Sequence, residues 1–121
     1  MSVTGSGHNG VCLLGEAWGK VEAARALPFQ GPAGAKLAHM LGVLGLVRDD
    51  FLITNVYWAQ PPGNRAPTAA EIDSDRPRWE PIIRDSRIQV VVPMGNFLEH
   101  RGLPVLFQSL GRLSPERRRV A

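Results

Sequence analysis

One cysteine, Cys12, among 121 residues excludes an internal disulfide and leaves no second thiolate from which to build a cysteine metal site; it fits a reducing compartment. Lysine is almost as scarce: 12 of the 14 cations are arginine, whose flat fork suits phosphate oxygens better than a point charge does. No apolar run approaches the roughly 18 to 20 residues that a membrane span requires. The opening MSVTGSGHNG carries neither the basic n-region nor the apolar h-region of an export signal. A cytoplasmic protein with no membrane partner is expected. Internal repeats and low-complexity segments are also lacking. Gly15 to Lys20 is glycine-bracketed and ends in lysine, but it is one residue short of a P-loop, and Val21 stands where a magnesium-binding hydroxyl should follow. No dinucleotide fingerprint follows the first apolar run, and His8, His39 and His100 have no nucleophile elbow to serve.

What is present suffices for one domain with one core. Hydrophobic residues make up 44% and charged residues 21% of the chain, a globular balance, and the net charge is +3. Arg112, Arg117, Arg118 and Arg119 crowd the last ten positions, either as a solvated, frayed terminus or as a tail that neutralises phosphates. The expected organisation is a flexible N-terminus over 1–10, a domain over 11–107 and a basic C-terminal tail over 108–121.

Val11-Cys12-Leu13-Leu14 has the pattern of a buried parallel strand feeding a loop. Leu37, Met40, Leu41 and Leu44 recur at helical spacing and predict one apolar stripe on a crossover helix that stops at Gly45. Phe51-Leu52-Ile53-Thr54 reads as a second strand, which the proline-rich loop from Asn55 to Pro67 cannot continue. Thr68-Ala69-Ala70-Glu71 is a capping-box pattern, with Ile72, Trp79, Ile82 and Ile83 as the buried face of a helix that Pro77 and Pro81 kink or break. Ile88 to Val92 is a third strand, a short helix is expected through His100, and Leu103 to Phe107 is a weaker fourth strand. This order predicts a three-layer α/β/α sandwich with a four-stranded parallel sheet. Ligands of such sheets lodge at the carboxyl ends of the strands, where the loops after Leu14 and Thr54 emerge.

Glu16, Phe29 and Asn55 fall in those loops, and their chemical types complement a flipped-out uracil. An aromatic face stacks on any base, for about 1 to 3 kcal/mol. A carboxamide offers a donor and an acceptor to match uracil O4 and the N3 hydrogen; turned by 180° it matches cytosine, so selectivity requires neighbours that fix its orientation. A glutamate can orient a water or stabilise positive charge on the sugar as the glycosidic bond breaks. Each residue has a plainer reading: Phe29 as core, Asn55 as a turn residue, Glu16 as a helix-start charge.

Taken together, these residues match a family. From Leu13 to about Leu98 the chain resembles the uracil-DNA glycosylase superfamily, above all the family-four type first known from thermophiles and the glycosylase-like proteins of phages. Gly15-Glu16-Ala17-Trp18-Gly19 is similar to that family's Gly-Glu-Ala-Pro-Gly, and Leu27-Pro28-Phe29-Gln30-Gly31-Pro32-Ala33-Gly34 to its Pro-Phe-Val-Gly-x-Ala-Gly. Ile53-Thr54-Asn55-Val56 and Pro61-Pro62-Gly63-Asn64-Arg65-Ala66-Pro67 resemble its Ile-Thr-Asn-Val and Arg-Pro-Pro-x-Asn-Arg-x-Pro, and Val90-Val91-Val92-Pro93-Met94-Gly95 its later strand and glycine turn. The resemblance implies Glu16 as the acidic catalytic residue and Phe29 and Asn55 as the stacking and base-reading residues. Gly15 and Ala17 then lend backbone groups to the uracil pocket, and Asn64 and Arg65 shape the wall of a DNA groove.

Two departures accompany it. The thermophile-type enzymes carry a four-cysteine iron-sulfur cluster, but here Ala59 and Asp75 occupy two of the ligand positions and the amino terminus has no cysteine pair. No cofactor, metal or cluster is therefore expected. The family's His-Pro-Ser motif, which donates a hydrogen bond to the departing uracil, is missing between Leu103 and Ala121, where Gln108-Ser109-Leu110-Gly111 stands instead. The ending and its Arg-rich tail suggest a truncated or frameshifted reading frame. The expected function is a DNA N-glycosylase of base excision repair, monomeric, acting on uracil-containing DNA, and slow or truncated. The alternative is a catalytically inactive DNA-binding or partner-binding protein of the same fold.

Overall fold

Side chains that alternate along two strands separate the molecule into layers. In the computed structural model, which describes residues 2–94 and the backbone of residues 119–120, the elements run Val3–Thr4 (β1), Val11–Ala17 (β2), Lys20–Arg25 (α1), Pro32–Val43 (α2), Leu52–Tyr57 (β3), Ala69–Ser74 (α3), Arg76–Ile83 (α4), Val90–Pro93 (β4) and Arg119–Val120 (β5). Cys12 and Leu14 on β2 and Leu52 and Val56 on β3 join Ile72, Trp79 and Ile83 from α3 and α4 in one core cluster. Leu13 and Ile53 face the other way and pack with Leu37 and Leu41 of α2 and with Phe51. The expected three layers follow, with the sheet in the middle.

The strands lie in the order β1-β3-β2-β4-β5. The β2–β3, β2–β4 and β4–β5 pairs are parallel, while β1 runs antiparallel to β3. Among the described residues the sheet has five strands and is mixed, where a wholly parallel sheet was expected. Its edge is antiparallel because only residues 5–10 separate β1 from β2, and a parallel crossover needs about a dozen. The opening decapeptide, expected to be flexible, is tied down: Thr54 Oγ1 donates to the Ser2 carbonyl at 2.7 Å and the Trp18 indole to Ser2 Oγ at 2.9 Å. Arg119–Val120, in the segment expected as a basic tail, pairs with Val90 and Val91. The strand expected over 103–107 and the helix expected through His100 lie outside the described residues.

Both long strands continue past their expected ends. The ladder runs through Gly15↔Asn55 to Ala17↔Tyr57, so Gly15, Glu16, Ala17 and Asn55 sit on strands and not in loops. The capping box forms as expected, with Thr68 Oγ1 accepting from the Glu71 amide at 3.1 Å, and the helical segment breaks at Asp75 between α3 and α4. On α2 the expected stripe is only half realised. Gly34, Leu37 and Leu41 are buried, but Met40 is 57% and Leu44 69% exposed, because the helix ends at Val43 and presents its i, i+3, i+7 row to the sheet. His39 is exposed on that helix.

Candidate active site

Strand register brings the first contacts of the site together. Asn55 shares its sheet face with Ile53, Gly15 shares that of Leu13, and the two are paired across β2 and β3. A methyl group placed on Gly15 would stand 2.6 Å from Phe29 Cε2 and 2.7 Å from Asn55 Nδ2. The phenyl ring and the carboxamide therefore meet over a backbone position that admits no side chain. Asn55 is 3% exposed, and its Oδ1 has no hydrogen-bond partner among the described residues. A buried acceptor left unmet costs about 1–3 kcal/mol, so this oxygen is suited to a donor from outside the protein. Around these groups opens a cleft of about 640 Å³. Its walls include Glu16 and Ala17 from the end of β2, Leu37 and Met40 from α2, Met94 after β4, and Asn64.

Phe29 is held in place against its own backbone preference. Its φ is +53°, a region costly for a residue with a Cβ, by about 1–3 kcal/mol. Three features hold it there. Arg48 donates from Nη1 to the Phe29 carbonyl at 2.8 Å and from Nη2 to the Pro28 carbonyl at 3.0 Å. Gly34 lets α2 approach so closely that a Cβ there would lie 1.8 Å from the Phe29 oxygen. The Glu22 carboxylate accepts from the amides of Gly19 at 3.1 Å, Gln30 at 2.8 Å and Gly31 at 2.6 Å, and so joins the start of α1 to the start of α2. Burial pushes the Glu22 carboxyl up, but the amides of Gly31, Gln30 and Gly19 outweigh it and hold the group below its ordinary value. Neither Glu22 nor Arg48 stood out in the sequence. The Gly-x-x-Glu spacing from Gly19 was a local signal for the first; nothing local marked the second.

A side groove of about 200 Å³ continues from the cleft between Glu16, Ala17 and Trp18 on one side and Asn64, Arg65 and Pro67 on the other. Asn64 is exposed, and its Oδ1 accepts from Gln60 Nε2 at 2.9 Å. Arg65 forks onto the two oxygens of Glu71 at 2.7 and 3.2 Å. That guanidinium, with the Thr68 amide, holds the Glu71 carboxyl down to about 2. Arg65 therefore fastens the loop to α3 as well as facing the groove. The structure brings all seven sequence-predicted residues to one region: Phe29 and Asn55 both against Gly15, Glu16 and Ala17 on the wall, Asn64 and Arg65 along the adjoining groove.

A family model described as the Uracil DNA glycosylase superfamily matches residues 3–119. The chain belongs to the uracil-DNA glycosylase superfamily. It is 38% identical over 87 residues to a Type-4 uracil-DNA glycosylase of Archaeoglobus fulgidus, a match that covers 72% of this chain and 44% of that protein. A protein of the same name from Pyrobaculum aerophilum is 43% identical over 68 residues, covering 56% and 35%, and one from Saccharolobus solfataricus 34% over 97 residues, covering 78% and 45%. The chain spans less than half the length of these curated relatives.

An iron-sulfur cluster of the thermophile-type superfamily members does not fit the residues present. Cys12 is the one cysteine, wholly buried in β2, with its thiol pushed up to about 12 by burial, which is the condition of a core residue and not of a thiolate ligand. No group of three or more His, Cys, Asp or Glu side chains able to hold a metal ion occurs among the described residues. No helix among them is long and apolar enough to cross a membrane.

Proposed function

We propose that this chain removes uracil from DNA by hydrolysing the N-glycosidic bond. One observation carries the reading: the buried Oδ1 of Asn55, without a hydrogen-bond partner among the described residues, beside the Phe29 ring at the wall of an open cleft. A uracil nucleotide flipped out of the duplex stacks on Phe29. Asn55 Oδ1 accepts the N3 hydrogen while Nδ2 donates to O4. The Gly15 and Ala17 backbone closes the pocket on the base, and Gly15 itself leaves the room that the ring and the amide need. Glu16, at the end of β2 and facing both cleft and groove, orients a water toward C1′ and stabilises the positive charge that develops on the sugar. The C1′–N1 bond breaks with its electron pair leaving on uracil as the N1 anion, a C1′–O bond forms to the water, and the water's proton passes to the Glu16 carboxylate and from there, through solvent, to the uracil anion. Asn64 and Arg65 line the path of the strand.

No step requires a metal or cofactor in this reading, and the acting unit is a cytoplasmic monomer on DNA. These 121 residues hold no His-Pro-Ser segment. Within this reading, a protein lacking such a donor turns over more slowly by about a hundredfold to a thousandfold, since losing one hydrogen-bond donor to a departing anion costs about 2.7–4 kcal/mol.

Single-turnover excision from uracil-containing oligonucleotides, read by cleavage at the resulting abasic sites, tests the proposal. Excision is expected from the native chain and is expected to vanish in Glu16→Ala and Asn55→Ala. Salt-dependent DNA binding without any excision would instead support a non-catalytic DNA-binding protein of this fold.

A further inference from the structure

A buried acid stands at the joint between α3 and α4, far in sequence from the residues of the cleft but wired to them. Asp75 is 5% exposed. Its Oδ2 accepts from the Trp58 amide at 2.7 Å and its Oδ1 from Arg78 Nη1 at 2.5 Å. Its own backbone joins the two helices, the amide donating to the Glu71 carbonyl and the carbonyl accepting from the Arg78 and Trp79 amides. Beyond Trp58 the connections divide toward both walls of the cleft. The Trp58 indole donates to the carbonyl of Asn55 at 2.9 Å. The neighbouring Ala59 carbonyl accepts from the Trp18 amide at 3.1 Å, which fixes the chain just after Glu16 and Ala17. A single side chain thus anchors the loop that spans the ends of β2 and β3.

We infer that Asp75 is a positioning residue: its carboxylate clasps residues 58–59 to the helix pair and so sets where Asn55 and Glu16 stand. Positions 59 and 75 are two of those at which the resemblance puts cluster ligands, and the chain has no thiolates for a cluster. Here an ion-paired, amide-bonded carboxylate tethers the loop with protein atoms alone. The network also explains why an acid is retained in the interior. It is satisfied on both oxygens, and removing it strands the Trp58 amide and releases the loop. The catalytic half of the inference rests on reading Asn55 as the base-reading residue; the tethering half does not.

The test uses the full chain with Asp75→Ala, Asp75→Asn and Trp58→Phe, and with Ile83→Val as a control that loosens the core under the same helices. Two readouts are taken. Amide hydrogen exchange at residue 58, referred to Val91 in the sheet interior, is expected to accelerate by about a hundredfold in Asp75→Ala and to remain slow in Ile83→Val. Asp75→Asn, whose side-chain oxygen still accepts from that amide, is expected to restore most of the protection. Single-turnover uracil excision is expected to fall by roughly tenfold to a hundredfold in Asp75→Ala and Trp58→Phe, with affinity for abasic DNA within about twofold of the native chain. Unchanged exchange at residue 58 in Asp75→Ala overturns the clasp. An excision loss no larger than that of Ile83→Val at matched melting temperature overturns its positioning role. Should Asp75→Ala fail to fold, Asp75→Leu, which fills the same space but accepts no hydrogen bond, replaces it in the exchange comparison, and Trp58→Phe carries the excision comparison. A native chain that excises nothing overturns the glycosylase reading, while the exchange data still decide the clasp.

Discussion

Gly15 shows how one residue can control a pocket by having no side chain. The Phe29 ring and the Asn55 amide occupy the space a Cβ would take, at 2.6 and 2.7 Å, so neither neighbour can yield without leaving its place. Gly15→Ala is expected to destabilise the fold by about 1–3 kcal/mol through overpacking and to abolish uracil excision while leaving salt-dependent DNA binding in place. Denaturant titration and the excision assay check the two effects separately. Cys12 is the opposite case, a reactive type made inert: fully buried, with its thiol pushed up to about 12, it acts as a small apolar residue. At this scale the motifs that hold Glu16, Phe29 and Asn55 were readable because each is local in the chain.

Among the elements, the loop over residues 61–67 depends on α3 for its shape, through the Arg65–Glu71 fork and the Thr68 cap. Glu71 has its carboxyl held down from 4.5 to about 2, chiefly by Arg65. A lowered carboxylate pKa contributes stability that is complete above the unfolded value and is lost as pH falls toward the folded one. Thermal melts are therefore expected to show a loss between about pH 4.5 and 2 that is smaller in Glu71→Gln. The pair is exposed, so added salt shrinks the difference. An equal pH profile in the two proteins would refute this assignment. The capping box was readable because its partners lie three residues apart. The Arg48 grip on the Pro28 and Phe29 carbonyls was not, because its partners lie 19 and 20 residues away and only the turn of the chain between α2 and β3 brings them together.

For the molecule as a whole, the edge strand and its anchors close one side of the sheet. Thr54 is fully buried and bonds the Ser2 carbonyl, and the Trp18 indole bonds the Ser2 hydroxyl. A chain beginning at Gly10 leaves both donors without those partners, at about 1–3 kcal/mol for the buried Thr54 hydroxyl and less for the half-buried Trp18 indole. Its urea midpoint is expected to fall well below that of the full chain; an unchanged midpoint would show that residues 2–9 contribute nothing to the fold. Two consecutive residues pairing with a strand some fifty positions later leave no periodic mark, which is why the sequence suggested a loose terminus and a wholly parallel sheet.

The amino-acid sequence by itself determined the alternation of strands and helices, the capping of α3, the three-layer class and the chemical types offered at the carboxyl edge, because hydrophobic period, turn residues and caps act over a few positions. Only the tertiary structure decided that the Phe29 ring and the Asn55 amide meet over Gly15, that Arg48 holds a left-handed Phe29, and that Asp75 is tied to Asn55 through Trp58. Those contacts depend on strand register and on how the helices seat against the sheet. Both are settled by the packing of the whole core and not by any one segment.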